Sequence, residues 1–409
     1  MHRSPFPKTA YLPLVAHGAA LLLMTWASAW LFDGPGISNA TLLRFDAIHY
    51  ARIMENGYQD ESSAFFPLFP LFWRALGVDA MGMALINAII YLCTATALAK
   101  MFGMELRAVL MFAALPSVFF LFTPYSEALF FLGSGILLFA VHRRLNLLAA
   151  VALFFCSLTR PAFTALLPAI LIMTLLSPEP LARRILRCIF LATSSVLGLI
   201  TVMWLQFRET GDALGFYSAQ SSYGNTFKLP RLPLTSWGGD TVVPLDASAL
   251  LLGVICAVVL VTRAIHQMRG KTLSYEPEVI LSLGYVAGIS AIALLLRNGE
   301  MYSLNRFVFA TPFALVLIHR LSQYPLKLSA GKWALFLMVP LAFFILFGSF
   351  VHIRTFLLYS AVGLHLVLGF IALTNKGTSM RTLFLLWLFF SLSVQFYFFN
   401  RYLSNEWVA

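Results

Sequence analysis

VILSLGYVAGISAIALLL, residues 279–296, runs for eighteen positions without a charged side chain. A helix needs about 20 predominantly apolar residues to cross the hydrocarbon of a bilayer, and runs of this kind recur on both sides of the stretch. They place helices near 11–31, 81–100, 107–123, 126–141, 145–159, 161–176, 188–206, 248–264, 279–296, 306–319, 333–351, 356–374 and 382–400, thirteen in all. The short pair 145–159 and 161–176 is divided at Arg160-Pro161. Proline there removes a ladder hydrogen bond and drives its predecessor out of the helical region. Composition agrees, with 60% hydrophobic and 11% charged residues, against roughly 25% charged in soluble domains. Mean hydropathy is +0.83. The chain reads as an all-α polytopic membrane protein, one integral membrane domain over 1–409 with 11–13 transmembrane helices.

Loop charge sets the expected orientation. With the N-terminus in the cytoplasm and sides alternating, the inner segments hold 17 of the 28 basic residues and four of the 17 acidic ones. That is +13 inside against −2 outside, which together make the formal +11 of the chain. The basic excess therefore follows topology and anionic lipid, and no basic module outside the lipid offers a nucleic-acid partner. Arg3 and Lys8 precede the first apolar run, and Ala27-Ser28-Ala29 resembles a signal-peptidase site. The run is longer than a signal core, so its retention as a transmembrane helix is expected. Cys93, Cys156, Cys188 and Cys256 lie in or beside predicted helices without CxxC spacing. They read as small buried apolar residues rather than a disulfide framework or metal site.

Only two outer segments are long, 33–79 and 207–247, so function is expected on that side. The second is rich in turn formers and aromatics, including Tyr217, Tyr223, Phe227 and Trp237. It suits either a lid or an aromatic belt at the membrane surface. The first contains RFDAIHYARIMENGYQDESSAFFPLFPLFW, residues 44–73. Ser38, Asn39 or Thr41 can cap a helix here, and Gly57 can end it. On that helix Leu43, Ala47, Tyr50, Ala51 and Met54 share one face, with Asp46, His49, Arg52 and Asn56 opposite. The pattern is that of a helix lying in the membrane interface, with Asp46 and His49 one turn apart. Phe65 to Trp73 is apolar but broken by prolines, and is expected to dip back against protein.

Further polar groups belong to the same side: Tyr125 and Glu127 in TPYSE, Arg160 in TRP, and Asn305 and Arg306 before a late helix. Each has an ordinary reading. Glu127 can favour a helix N-terminus, Arg160 can snorkel, Arg306 can pair with Glu300, and Asp46 with Arg44 or Arg52. Their arrival at one face argues for chemistry at a membrane surface.

The same residues carry a family resemblance. FDAIHYARIMENGY (45–58) followed by AFFPLFPLFWRAL (64–76) resembles the signature of the GPI mannosyltransferase II (PIG-V) family. LPSVFFLFTPYSEALFFLGSG (115–135), SLTRPAF (157–163) and NRFVFATPF (305–313) resemble its later blocks in order. Phe45 stands where the family often has Trp, and the loops are compact, as in prokaryotic relatives. The resemblance implies a GT-C glycosyltransferase fold, a polyprenyl-phosphate sugar donor with mannose as the first guess, and an essential acid in the first outer loop, here Asp46. It implies inversion by single displacement, with Asp46 as base and His49 orienting acceptor or phosphate. Arg160 and Arg306 become candidates for the lipid phosphate, and Glu127, Tyr125, Tyr50 and Asn305 for substrate binding. No cofactor is required. A divalent ion at Asp33, Asp60 and Glu61 is conceivable but not expected. The expected partners are the bilayer, the lipid-linked donor and a lipid, glycan or protein acceptor. The expected location is a bacterial inner membrane, where no GPI anchor is made. The rival readings are a transporter or lipid flippase, which would place ionisable groups near the bilayer midplane, and a non-catalytic assembly partner keeping the fold.

Overall fold

The computed structural model describes residues 12–271, 274–324, 338, 343, 345–347, 352–375 and 377–408, the side chains of residues 60 and 61 excepted. The long helices are α1 (Leu12–Phe32), α5 (Ala80–Phe102), α10 (Leu181–Thr210), α12 (Val243–Met268), α13 (Pro277–Leu296), α16 (Ile353–Thr374) and α17 (Thr378–Leu403). Among the described residues these seven helices are long and apolar enough to cross a membrane. An eighth span arises if the 3₁₀ segment Pro116–Phe122 and α7 (Glu127–His142), which meet at 99°, form one broken crossing. The protein is an all-helical, multi-pass membrane protein. Leu23, Trp26, Val261, Leu386 and Phe389 point outward from their helices and are exposed, as lipid-facing residues must be. Close helix contacts use small residues instead. A Cβ on Gly284 of α13 would lie 2.8 Å from Ala169 Cα on α9 (Leu166–Leu175).

Several expected spans are broken, and proline is the reason. The run 107–123 divides into α6 (Leu106–Ala113) and the segment 116–122, because Pro116 holds Leu115 extended (φ −62°, ψ 138°). The run 306–319 divides into α14 (Leu304–Phe309) and α15 (Pro312–Ser322), because Pro312 holds Thr311 extended (φ −132°, ψ 152°). At the first break, Gln395 Nε2 of α17 donates to the Ala113 and Leu115 carbonyls at 3.0 and 2.8 Å. Its Oε1 meets His17 Nε2 of α1 at 2.6 Å. A buried amide thus bonds two carbonyls beside the break and ties α1 into the bundle. The expected helix 333–351 falls largely outside the described residues.

The helices alternate in direction, which sorts the loops into two ends. At one end, His142 closing α7 pairs with Glu278 at 3.2 Å, and Arg320 closing α15 pairs with Glu276 at 2.6 Å. Arg187 near the start of α10 lies 3.6 Å from Glu179, and Arg107 donates to the Asn375 carbonyl beyond α16. This basic end holds the loops expected on the inner side. The opposite end holds the two long loops. In the first, Ser38 caps only the single turn α2 (Asn39–Leu42). A separate α3 (Asp46–Asn56) follows, then α4 (Leu68–Leu76). The single interfacial helix expected here is therefore two pieces, and α3 buries Ala47, Tyr50, Ala51 and Ile53. The apolar stretch after it packs inward through Phe66, Phe69 and Trp73. The second loop forms α11 (Gly215–Ser222) against residues 60–64.

Candidate functional site

Four charged side chains from four distant parts of the chain meet at the long-loop end. Arg306 Nη2 lies 2.8 Å from Asp46 Oδ2, and Arg306 Nε lies 3.1 Å from Glu127 Oε1. Arg160 Nη1 lies 2.8 Å from the same Glu127 oxygen. Asp46 is therefore linked through Arg306 to Glu127 and Arg160. Asp46 is 21% exposed, against 1% for Glu127 and 6% for each arginine. One carboxylate opens to the surroundings while the rest of the cluster is sealed behind it. Burial works against the Arg306 charge, but Asp46 and then Glu127 outweigh it and raise its pKa above the ordinary guanidinium value. Two ordinary readings fail, since Arg306 meets Asp46 and Glu127 rather than Glu300 and Arg160 is buried rather than snorkelling, whereas Glu127 does stand in the first turn of a helix.

Local backbone breaks aim these side chains. Asp46 opens α3 directly after Phe45, whose φ is +50°, a conformation costly for a residue with a Cβ. The Phe45 ring is held edge-on to Trp407 at 5.0 Å. Two buried tyrosines grip the same turn: Tyr402 Oη donates to the Leu42 carbonyl at 2.7 Å and Tyr125 Oη to the Arg44 carbonyl at 3.2 Å. At the far end of α3, Arg74 donates to the Ile53 and Met54 carbonyls. Arg306 sits one turn after Ser303, whose φ is +62°. Arg160 ends α8 (Asn146–Thr159) in extended geometry ahead of Pro161. Glu127 begins α7 at the 99° break, where Asn87 Nδ2 donates to the Thr123 and Tyr125 carbonyls.

The other candidates are bound to protein partners. Tyr50 Oη donates to Ser126 Oγ at 2.8 Å, joining α3 to the start of α7, and burial raises its pKa. Asn305 donates to Asp246 Oδ1 from its backbone N–H and its Nδ2, at 2.8 and 2.7 Å. Ser117 donates to Asn305 Oδ1 and Ser236 to Asp246 Oδ2, each at 2.6 Å. Asp246, fully buried, is a residue the sequence reading passed over, as are Asn87, Tyr402 and Arg297. The only mark of Asp246 in the sequence is its position at the end of the second long outer segment, two residues before the predicted run 248–264. His49 stacks on Phe65 at 4.7 Å, and Tyr223 of the second loop meets it edge-on at 6.3 Å. That loop therefore reaches over the α3 surface beside Asp46, as a lid would. Beyond the C-terminal end of α3, an open cleft of about 590 Å³ is lined by Glu55, Asn56, Gly57, Tyr58, Arg74 and Glu209.

Among the described residues no three His, Cys, Asp or Glu side chains gather as metal ligands. Asp60 and Glu61, two of the three groups considered for a divalent ion, have side chains outside the described ones. The cysteines are free. No protein-family model, curated protein or solved structure matches the chain.

Proposed function

We propose that this protein is a GT-C-type glycosyltransferase, akin to the GPI mannosyltransferase II family. It moves a sugar, mannose as the first guess, from a polyprenyl-phosphate donor to an extracytoplasmic acceptor. One observation carries the reading: Asp46 is the single reachable carboxylate of a buried charge cluster at the membrane end that bears both long loops. A lipid-linked donor diffuses in the bilayer and presents its phosphate at that level. The acceptor hydroxyl gives its proton to Asp46 as its oxygen attacks the anomeric carbon. The bond from that carbon to the phosphate oxygen breaks, and its electron pair leaves with the lipid phosphate. The product is inverted. General-base catalysis of this kind contributes typically 10²–10⁴-fold.

The contacts refine the roles. Arg306 holds the Asp46 carboxylate and Glu127 holds Arg306 and Arg160, and arginines neutralised in this way serve as supports. Tyr50, Tyr125 and Asn305, already bonded to protein, act as struts rather than sugar ligands. His49, one turn beyond Asp46, orients the acceptor or phosphate. The proposed orientation places the N-terminus and the basic end in the cytoplasm of a bacterial cell.

The test uses purified protein in lipid nanodiscs, a panel of labelled polyprenyl-phosphate sugars and a cell-lipid extract as acceptor. Wild type should turn over one donor, and Asp46→Asn should lose at least about 10²-fold. Equal turnover by the variant removes Asp46 as base. Movement of the lipid between leaflets without sugar transfer would establish the flippase reading instead.

A further inference from the structure

We propose that Arg297, rather than Arg160 or Arg306, holds the phosphate of the lipid-linked donor. The inference rests on the glycosyltransferase reading and names the group that grips its substrate. Arg160 and Arg306 each already face a carboxylate at 2.8 Å. A phosphate approaching them would compete with Asp46 and Glu127 for the same donors and would meet two negative charges.

Arg297 is placed differently. It follows the last residue of α13, where a spanning helix leaves the membrane. Among the described residues no carboxylate lies within 4 Å of it. Its guanidinium lies over Tyr302 at 4.5 Å and over Phe307 at 4.4 Å. One N–H donates to the Tyr302 carbonyl. A guanidinium carries five N–H donors in a rigid plane, and its other nitrogens are not among the buried polar atoms lacking a partner. Two aromatic rings lie against the guanidinium, and among the described residues the Tyr302 carbonyl is its one hydrogen-bond acceptor. Edge-on donation in pairs is the geometry that suits a phosphate oxyanion.

The site is continuous with the charge cluster. The ring of Phe307 carries Arg160 at 4.5 Å, Arg306 at 5.3 Å and Arg297 at 4.4 Å. Arg297 is thus one phenyl ring removed from the arginines that hold the Asp46 network. Its surroundings are costly for an unanswered cation. Burial first, then repulsion by Arg306 and Arg160, lower it to about 10, although Tyr302 and Asp246 pull the other way. It remains a cation at neutral pH, and the oxygens of the nearby Asp246 accept from Asn305 and Ser236 instead. An incoming anion would relieve that cost. The segment is also held in place. The second long loop is bonded to it from Lys228 N–H to the Leu295 carbonyl, Asn298 N–H to the Thr226 carbonyl, and Met301 N–H to the Thr235 carbonyl. Tyr302 Oη also donates to Asn225. Arg297 is therefore presented on a braced turn directly after a helix long and apolar enough to cross a membrane.

The bland alternative is that Arg297 only staples this turn through its two rings. Full-length protein in nanodiscs separates the two, with polyprenyl monophosphate lacking a sugar as the probe and uncharged polyprenol as its control. Arg297→Gln should bind the monophosphate about 10- to 100-fold more weakly, as expected for loss of charge-assisted hydrogen bonds. Arg297→Lys should recover part of the loss, and polyprenol binding should be equal in all three proteins. In turnover the glutamine variant should raise the donor KM far more than it lowers kcat. Wild-type monophosphate affinity in Arg297→Gln would overturn the proposal, as would parallel loss of monophosphate and polyprenol, which marks a structural role. Displacement by inorganic phosphate at equal concentration would indicate a free-anion site and also overturn it. Asp46→Asn separates the two claims. Lost turnover with monophosphate binding intact keeps the glycosyltransferase reading whatever Arg297 does. Absence of any prenyl-phosphate binding in wild type ends both.

Discussion

Glu127 Oε1 faces two guanidiniums with almost no access to solvent. Among the described residues neither Glu127 oxygen has a neutral hydrogen-bond donor, and its charge is answered by Arg160 and Arg306. Breaking a buried pair by removing one partner costs about 3–5 kcal/mol because the remaining charge stays in low dielectric. Glu127→Gln is therefore expected to lower thermal stability sharply in detergent. Asp46→Asn, at the open edge of the cluster, should unfold within a few degrees of wild type while losing turnover. Melting curves for the two variants beside turnover rates check this, and the reverse ranking would contradict the geometry. Asp246 acts at one remove. It holds the Asn305 backbone and side chain, and Asn305 precedes Arg306. Asp246→Ala removes the acceptor of three buried donors, the Asn305 N–H, its Nδ2 and the Ser236 hydroxyl, at about 1–3 kcal/mol for each left unpaired. It should lower kcat through a displaced Arg306, with Asp246→Asn intermediate.

At the scale of the element, breaks matter more than the helices they interrupt. Asp46, Glu127 and Arg306 sit in the first turn of a helix and Arg160 directly follows the end of one, none of them in the middle of a long helix. A spanning helix presents its side chains to lipid or to a packed neighbour, whereas a helix end can turn a long polar side chain inward. α5 shows how such an end is fixed. Asp79 Oδ1 accepts from the Gly82 N–H at 2.8 Å and its Oδ2 from Asn39 at 2.9 Å. These bonds, the Gly82 N–H first, lower its pKa below the ordinary 3.8. Because the folded value is depressed, the stabilisation is present above the ordinary value and fades as pH falls through the folded one. The melting difference between wild type and Asp79→Ala should be constant above about pH 5 and shrink below it. A difference that grows on acidification would show that the carboxylate is not the stabilising form.

For the whole molecule, the expected orientation makes a direct prediction. Asp240 and Lys271 are both exposed and lie at opposite ends of α12. In intact cells a membrane-impermeant thiol reagent should label Asp240→Cys, and should label Lys271→Cys only after permeabilisation. The opposite pattern would put the Asp46 cluster in the cytoplasm. The class of the protein was legible from its apolar runs, since transfer of a segment into lipid depends on that segment's own side chains. Residues 279–296 become the helix Pro277–Leu296 almost as read. The gathering of Asp46, Glu127, Arg160 and Arg306 at one end was also legible, because alternation of crossings assigns each loop a side. Which of these charges touch was not legible. Arg306 meets Asp46 across 260 positions of sequence, and no local pattern encodes that distance. The breaks at Pro116 and Pro312 were missed because an apolar run reads as continuous whether or not its backbone is. By itself the sequence determined that the chain crosses a membrane several times and carries acids and arginines at one end. Tertiary packing decided that Asp46 stays reachable, that Glu127 is sealed between two arginines and that Arg297, among the described residues, has no carboxylate within 4 Å. Burial and pairing depend on neighbours that only the folded bundle brings together.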